Sequence, residues 1–318
     1  MPAVILLTTS SASKMSNQAV RQFTSVELPA NATSQHLLTN PINQECYVIQ
    51  ISYPLNLSKA LSIRKNKLPV IYVLDGNALF LTASEICWRR ETSPFWSGGG
   101  IVVAIGYPPH HDPEGKTYLH NFSRRNYDYT LPTTSYPNRG RFGGIDTFLE
   151  FVKKQARELV QQQLPHIEIE KEAFFGHSFG GLCVLYALFD GAGGLFDTYF
   201  AVSPSIWFGE KCIMSKEEDF CRGSSSDIGA HRPCLDLSFG SLENETKYDP
   251  KATTEQFEKR REERAERNIG GNTRDMHERL RGSANLRGVN LTEFDGEDHG
   301  TVVTVGLLRA LTKFFETP

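Results

Sequence analysis

Glu172-Ala-Phe-Phe-Gly176-His177-Ser178-Phe179-Gly180-Gly-Leu-Cys-Val-Leu-Tyr-Ala-Leu-Phe189 is the stretch whose reading decides the fold. Its first four residues read as a short buried strand, and the run from Gly180 to Phe189 reads as a buried helix. Between them lies Gly176-x-Ser178-x-Gly180, a serine on a tight strand-to-helix turn of the kind that presents a nucleophile. The flanking glycines are expected to remove side chains that would clash in so sharp a turn. At average Gly and Ser usage the bare pattern arises by chance in about one chain in ten. The strand and helix on either side are what give it meaning.

Working outward, Glu45–Tyr53 alternates like a half-buried strand, while Pro69–Asp75 and Gly100–Ile105 are continuous apolar runs like those of central strands. Gly76-Asn77 closes the first of these runs, and a helix is expected from Ala78 to Trp88. From Tyr107 to Gly144 there is no period but much Pro, Gly, Tyr and Arg, which reads as a long functional loop. Ile145, Phe148, Leu149, Val152, Ala156, Leu159 and Val160 follow helical spacing up to Pro165. Further strands are expected at Asp197–Ser203, Leu235–Gly240 and Val289–Phe294, with a last helix over Thr301–Phe315. Strands alternating with helices predict a mostly parallel central sheet flanked by helices, and with the Ser178 turn this is the α/β-hydrolase fold. A loose tail is expected over residues 1–35 and one domain over 36–318, with insertions at about 209–233 and 250–282. The second insertion carries Glu255-Gln-Phe-Glu-Lys-Arg-Arg-Glu-Glu-Arg-Ala-Glu-Arg267, which reads as a solvated helix with i, i+4 ion pairs; a mobile lid is the sharper alternative.

The chain has 318 residues, 39% of them hydrophobic and 22% charged, with a formal charge of −3. That is ordinary for a soluble globular protein and gives no reason to expect nucleic acid or an anionic membrane as partner. Six cysteines (Cys46, Cys87, Cys183, Cys212, Cys221, Cys234) show no Cys-x-x-Cys pair and no metal-ligand spacing. His110-His111-Asp112 has ligand-type residues but no partner cluster, so no metal site is expected. Val4–Leu7 is too short for a secretory core and lacks a basic flank, and no run is long enough to cross a membrane. Sequons stand at Asn31, Asn56, Asn121, Asn244 and Asn290, and without an entry signal the cytoplasm is the expected location.

A serine hydroxyl needs a base, usually a histidine oriented by a carboxylate. In this fold the chain order is Ser, acid, His, with each residue at the carboxyl end of a strand. Three histidines follow Ser178. His231 precedes a strand and His277 lies in the charged segment. His299, in Asp295-Gly-Glu-Asp-His-Gly300, follows the last strand and precedes the last helix, where the base belongs. Glu243, just past the strand ending at Gly240, is the favoured acid; Glu245 or no acid at all remain open. Asp236 lies inside the strand and should point to one face of the sheet. The oxyanion donors expected are the amides of Phe179 and of Gly76 or Asn77. His177 is expected to face away from the nucleophile as a packing residue.

Tyr72-Val-Leu-Asp-Gly-Asn77, Arg125-Asn-Tyr-Asp-Tyr-Thr130, Gly176-His-Ser-Phe-Gly-Gly-Leu182, Ser203-Pro-Ser-Ile-Trp207 and the spacing to Asp298-His-Gly300 together resemble the siderophore-esterase branch of the α/β-hydrolases. These enzymes open enterobactin-type or fusarinine-type ester siderophores. The resemblance spans about residues 40–315, and the insertions depart from the compact bacterial members. It implies Ser178 as nucleophile, His299 as base, Glu243 as acid, and Gly76 and Phe179 as oxyanion donors. The missing secretion signal is more like the fungal, intracellular members that act on triacetylfusarinine C.

A trilactone siderophore is a bulky polyester wrapped around ferric ion, so its site must be wide. Arg125, Tyr127 and Trp207, with Arg124, Arg139, Arg141, Tyr129 and Tyr136, are candidates to line it, arginines meeting hydroxamate or carbonyl oxygens and aromatics meeting acyl arms. Iron would arrive as part of the substrate; no cofactor is expected. The alternative from the same fold is a general carboxylesterase or thioesterase such as an S-formylglutathione hydrolase, or an acyltransferase. A non-catalytic binding module is the alternative from another class, and the full set of residue types at the expected places argues against it.

Overall fold

The computed structural model describes residues 32–91, 99–109, 119–136, 140–190, 195–223, 232–247 and 249–316. Eight strands form one sheet: β1 (Thr33–Thr39), β2 (Cys46–Ser52), β3 (Lys67–Val73), β4 (Ile101–Gly106), β5 (Glu168–His177), β6 (Thr198–Val202), β7 (Cys234–Gly240) and β8 (Gly288–Phe294). Their spatial order is β1-β2-β4-β3-β5-β6-β7-β8. β1 and β2 run antiparallel to their neighbours, and the rest of the sheet is parallel. The helices are α1 (Leu57–Ile63), α2 (Gly76–Arg89), α3 (Phe122–Asp128), α4 (Ile145–Phe151), α5 (Arg157–Gln163), α6 (Phe179–Phe189), α7 (Phe208–Lys211), α8 (Ile213–Arg222), α9 (Thr254–Arg267), α10 (Ile269–Leu280) and α11 (Val302–Glu316).

The apolar run of β3 is continuous because both faces are covered. Val70 and Tyr72 join the core under α4, α5 and α6, whereas Ile71 and Val73 join the core under α2 and α11. α6 has every residue from Gly180 to Phe189 buried, which fits its uninterrupted apolar sequence. The helix expected from Ile145 is α4 and α5 joined by a π-type widening over Val152–Ala156.

Three elements escape the hydrophobic pattern. β1 takes in residues 33–35, assigned from sequence to the tail; residues 1–31, including Val4–Leu7, lie outside the described residues. α1 is short, with Ala60 its buried residue. α3 interrupts the stretch read as loop, and what it buries is charge, Arg125 and Asp128, so no apolar period betrays it. The insertions also divide. α9 buries none of its side chains, as expected of a solvated helix, but α10 sinks Met276 and Leu280 fully into the core. Each such side chain contributes about 1.5–3 kcal/mol, so the second half of that insertion is part of the domain's core.

Candidate active site

The turn after β5 is built by close approach. A Cβ on Gly176 would stand 2.2 Å from the Gly180 carbonyl oxygen, so only glycine lets α6 start directly over the strand. Gly180 differs from expectation: a Cβ there would meet nothing nearer than Asp75 Oδ2 at 3.5 Å, an ordinary contact. The tight second glycine is Gly181, where a Cβ would lie 3.0 Å from Val202 O and Pro204 Cα. Ser178 itself has φ 59° and ψ −116°, a strained conformation for a residue with a side chain. Its backbone is pinned on both sides, its N–H donating to Val202 O (3.0 Å) and its C=O accepting from Ser205 N–H (3.1 Å).

The loops after β7 and β8 are zipped to each other. Leu242 N–H donates to Glu297 O (3.0 Å) and Ser241 N–H to Phe294 O (2.9 Å). A Cβ on Gly240 would strike Glu297 O at 2.2 Å. Asp298 Oδ1 accepts from the amides of Gly300 (2.8 Å) and Thr301 (3.0 Å), fixing the loop that holds His299 at the start of α11. The outcome is a linear chain: Glu243 Oε2 lies 2.7 Å from His299 Nδ1, and His299 Nε2 lies 3.1 Å from Ser178 Oγ. The three residues come from the ends of β7, β8 and β5, in the order the sequence suggests.

Glu243 is buried, and its other oxygen, Oε1, accepts from the Ser203 hydroxyl and from Gly240 N–H (3.3 Å). Ser203 is also buried and has a left-handed φ of 47°. Glu245 is exposed and Asp236 is paired with Lys313 on α11, so neither reaches His299. His277 sits on α10 beside Glu278, and His231 lies outside the described residues. Ser205, whose hydroxyl is 3.4 Å from Ser178 Oγ, and Ser203 were not singled out from sequence; both lie in the Ser-Pro-Ser run after β6, the only signal that pointed there.

His177 packs closer to the chemistry than expected. Its ring centroid is 4.6 Å from that of His299, and burial, with the charges of His299 and Arg125, holds its imidazole well below the usual histidine range. It therefore packs as a neutral ring.

Gly76 and Phe179 are the first residues of α2 and α6, so their amides have no partner within their helices. A Cβ on Gly76 would stand 2.9 Å from the backbone carbon of Ile105, so α2 starts hard against β4. Asn77 staples the same turn, accepting from Tyr107 N–H (2.7 Å) and donating to Tyr107 O (2.8 Å).

Arg125 corrects the expected substrate contacts. It is 7% exposed, donates from Nε to Asp75 Oδ1 (2.7 Å) and from Nη2 to His177 O (2.8 Å). Its guanidinium braces the two turns that carry Gly76 and Ser178 from beneath. Burial pushes the Asp75 carboxyl up, but the Arg125 charge and hydrogen bonds outweigh it and bring it down to about 2. Arg124 is likewise engaged, with Glu45 at 2.8 Å and the rings of Tyr47 and Tyr107 beneath it, and Tyr129 is fully buried with its hydroxyl accepting from Asp75 N–H. In each case a charge or hydroxyl predicted for the opening is spent inside the protein. Tyr127 is half-buried under Arg141, 4.3 Å from its ring centroid. Trp207 and Tyr136 do gather near the Ser178 turn, Trp207 6.0 Å from the Phe179 ring and 6.4 Å from Tyr136. Arg139 and His110-His111-Asp112 lie outside the described residues. Among the described residues no group of three or more His, Cys, Asp or Glu is placed to hold a metal ion, and no helix is long and apolar enough to cross a membrane.

No family model matches the chain. It is 39% identical over 289 residues to the siderophore triacetylfusarinine C esterase of Aspergillus fumigatus, a match covering 91% of this chain and 95% of that protein. It is 35% identical over 267 residues to the siderophore enterobactin esterase of Emericella nidulans, covering 81% and 85%. Among solved structures, the siderophore hydrolase EstB from Aspergillus nidulans superposes with a TM-score of 0.81 at 37% identity, over 93% of this chain and 98% of that one.

Proposed function

The chain belongs to the siderophore esterases, which are carboxylic ester hydrolases, and from that premise we propose that it hydrolyses the esters of a fusarinine-type hydroxamate siderophore, in its ferric form, with Ser178 as nucleophile. The observation that carries the proposal is the unbroken chain Glu243–His299–Ser178, with gaps of 2.7 and 3.1 Å, at the carboxyl ends of three sheet strands.

His299 Nε2 takes the Ser178 proton as Oγ attacks the ester carbonyl. The tetrahedral oxyanion is held by the amides of Phe179 and Gly76, both at helix starts whose dipoles favour negative charge. Collapse expels the alcohol, which leaves with the proton from Nε2, and an acyl-enzyme on Ser178 remains. Water, deprotonated by the same nitrogen, attacks the acyl carbon; Ser178 leaves and is reprotonated. Glu243 keeps the Nδ1 proton in place and stabilises the imidazolium that forms twice per turnover. The released hydroxy-acid units chelate iron as separate arms, so the effective concentration that made the cyclic chelate tight is lost. Iron enters as part of the substrate.

A cytoplasmic site of action is part of this proposal. The test is product analysis by mass spectrometry with ferric triacetylfusarinine C, ferric enterobactin and a small acetyl ester. Stepwise ring opening and monomer release by the parent, absent with Ser178→Ala, is the expected result. Cleavage of the small ester alone would overturn the siderophore assignment.

A further inference from the structure

α9 buries no apolar side chain, yet it is held in place against the active site. A capping box starts it, with Gln256 N–H donating to Thr253 Oγ1 (3.2 Å) and Thr253 N–H to Gln256 Oε1 (3.0 Å). Its last carbonyl, that of Arg267, accepts from Asn272 Nδ2 (2.8 Å), and Asn268 turns the chain with φ 37° into α10. Arg260, Arg264 and Arg267 share one face at i, i+4, i+7 spacing. Two of them are committed: Arg260 pairs with Asp249 (3.0 Å), and Arg264 Nη1 donates to the carbonyl oxygen of Glu243 itself (3.3 Å).

Arg267 is different. Its guanidinium carbon lies 5.1 Å from the Trp207 ring centroid, and among the described residues it has a loose ion pair with Glu263 at 3.7 Å, longer than a hydrogen bond. Trp207 supplies a second idle donor: its Nε1 is buried and has no hydrogen-bond partner among the described residues. The indole stands 6.0 Å from the Phe179 ring, and Ser205, two residues before it, is in contact with Ser178 Oγ. So a planar cation whose one recorded ion pair is the long contact to Glu263, and an indole N–H with no acceptor among the described residues, are held together beside the turn that carries Ser178.

We infer that Arg267 and Trp207 form a two-donor clamp for an oxygen-rich acyl arm of the substrate, of the iron-bound hydroxamate class. The inference rests on the siderophore reading above. Stacking on the indole fixes the guanidinium plane, so its fork meets paired oxygen acceptors at little entropic cost. Nε1–H can only donate and is covered in the free protein, so an acceptor on the same arm reaches it as the guanidinium shifts to meet the substrate. Neither group touches the reacting carbonyl, so the pair decides which acyl arms are held and leaves the acyl transfer to the triad.

Calorimetric titration of Ser178→Ala with ferric triacetylfusarinine C gives the reference dissociation constant. Adding Arg267→Gln is expected to weaken binding about tenfold, the loss of a charge-assisted contact, with Arg267→Lys recovering part of it. Trp207→Phe keeps a ring but removes the donor, and about a threefold loss is expected. With Ser178 intact, Arg267→Gln should lower the ratio of kcat/KM for the ferric siderophore over that for a small acetyl ester about tenfold. Because Arg267 is only half-buried and lies on a helix with no fully buried side chain, melting temperatures should stay close to the parent. Binding within twofold of the reference, or an unchanged ratio because both esters lose equally, overturns the clamp. Absence of binding by Ser178→Ala itself overturns the siderophore reading instead, and shows before Arg267 is altered.

Discussion

Glu243→Gln is the most informative single change, because the hydrogen bonds around Glu243 dictate how the amide must sit. Oε1 accepts from the Ser203 hydroxyl and from Gly240 N–H, and an amide N–H can only donate, so the glutamine oxygen must occupy that side. The glutamine NH2 then faces His299 Nδ1 and forces that nitrogen to accept. The imidazole proton moves to Nε2, which stands 3.1 Å from Ser178 Oγ and can no longer take its proton. The charge is lost as well: at an effective dielectric of about 20 and a charge separation of about 4 Å, the pair is worth about 4 kcal/mol in the imidazolium state. That alone is about 10³ in rate. With the wrong tautomer added, kcat on a small acetyl ester at saturation should fall about 10³–10⁴-fold. Ser203→Ala leaves the Gly240 donor in place, so the orientation survives and the loss should stay within about tenfold. A folded Glu243→Gln protein with kcat within tenfold of the parent would refute the role of the acid and leave Ser178 and His299 acting as a dyad.

The two glycines of the elbow should behave oppositely. Gly176→Ala places a Cβ 2.2 Å from the Gly180 carbonyl oxygen and should prevent a soluble fold, whereas Gly180→Ala, with open contacts in a helix, should leave stability unchanged or raise it by up to about 1 kcal/mol. Thermal melts of both decide it, and equal damage would contradict the contact geometry. Arg125→Met should cost about 3–5 kcal/mol by stranding the buried Asp75 carboxylate, a drop of about 6–10 °C. In the parent, the Asp75 carboxyl sits at about 2, below its unfolded value of about 3.9, so its stabilisation is present above pH ~4 and lost as pH falls through 2. Arg125→Met should reverse that limb, the melting temperature now falling as pH rises past ~4. An unchanged profile would mean that Arg125 does not hold the charge of Asp75.

What could be read from sequence and what could not divides along physical lines. Continuous apolar runs such as β3 and α6 announce themselves because both of their sides are covered. α3 does not, because it buries Arg125 and Asp128, and a buried arginine looks like a surface one until its partner is known. Asp75 lies 50 residues before Arg125, and only folding brings them to 2.7 Å. Glu243 and Glu245 are equally acidic and two residues apart; the turn pinned by Gly240 and Ser203 is what turns one toward His299 and leaves the other exposed. Arg267 hides in a run of alternating charges whose neighbours are mostly solvated ion pairs. The positions of the serine turn and of the histidine after the last strand could be read because the proposed chemistry demands fixed places in the chain.

The central claim is that Ser178 becomes acylated by a siderophore ester. Rapid quenching of enzyme and ferric triacetylfusarinine C, followed by intact-mass and peptide mass spectrometry, tests it most directly. An adduct with the mass of one acyl unit, carried by the peptide containing Ser178 and absent from Ser178→Ala, is the expected result. Turnover of the siderophore by Ser178→Ala at the parent rate, or an adduct on any other residue, would contradict it.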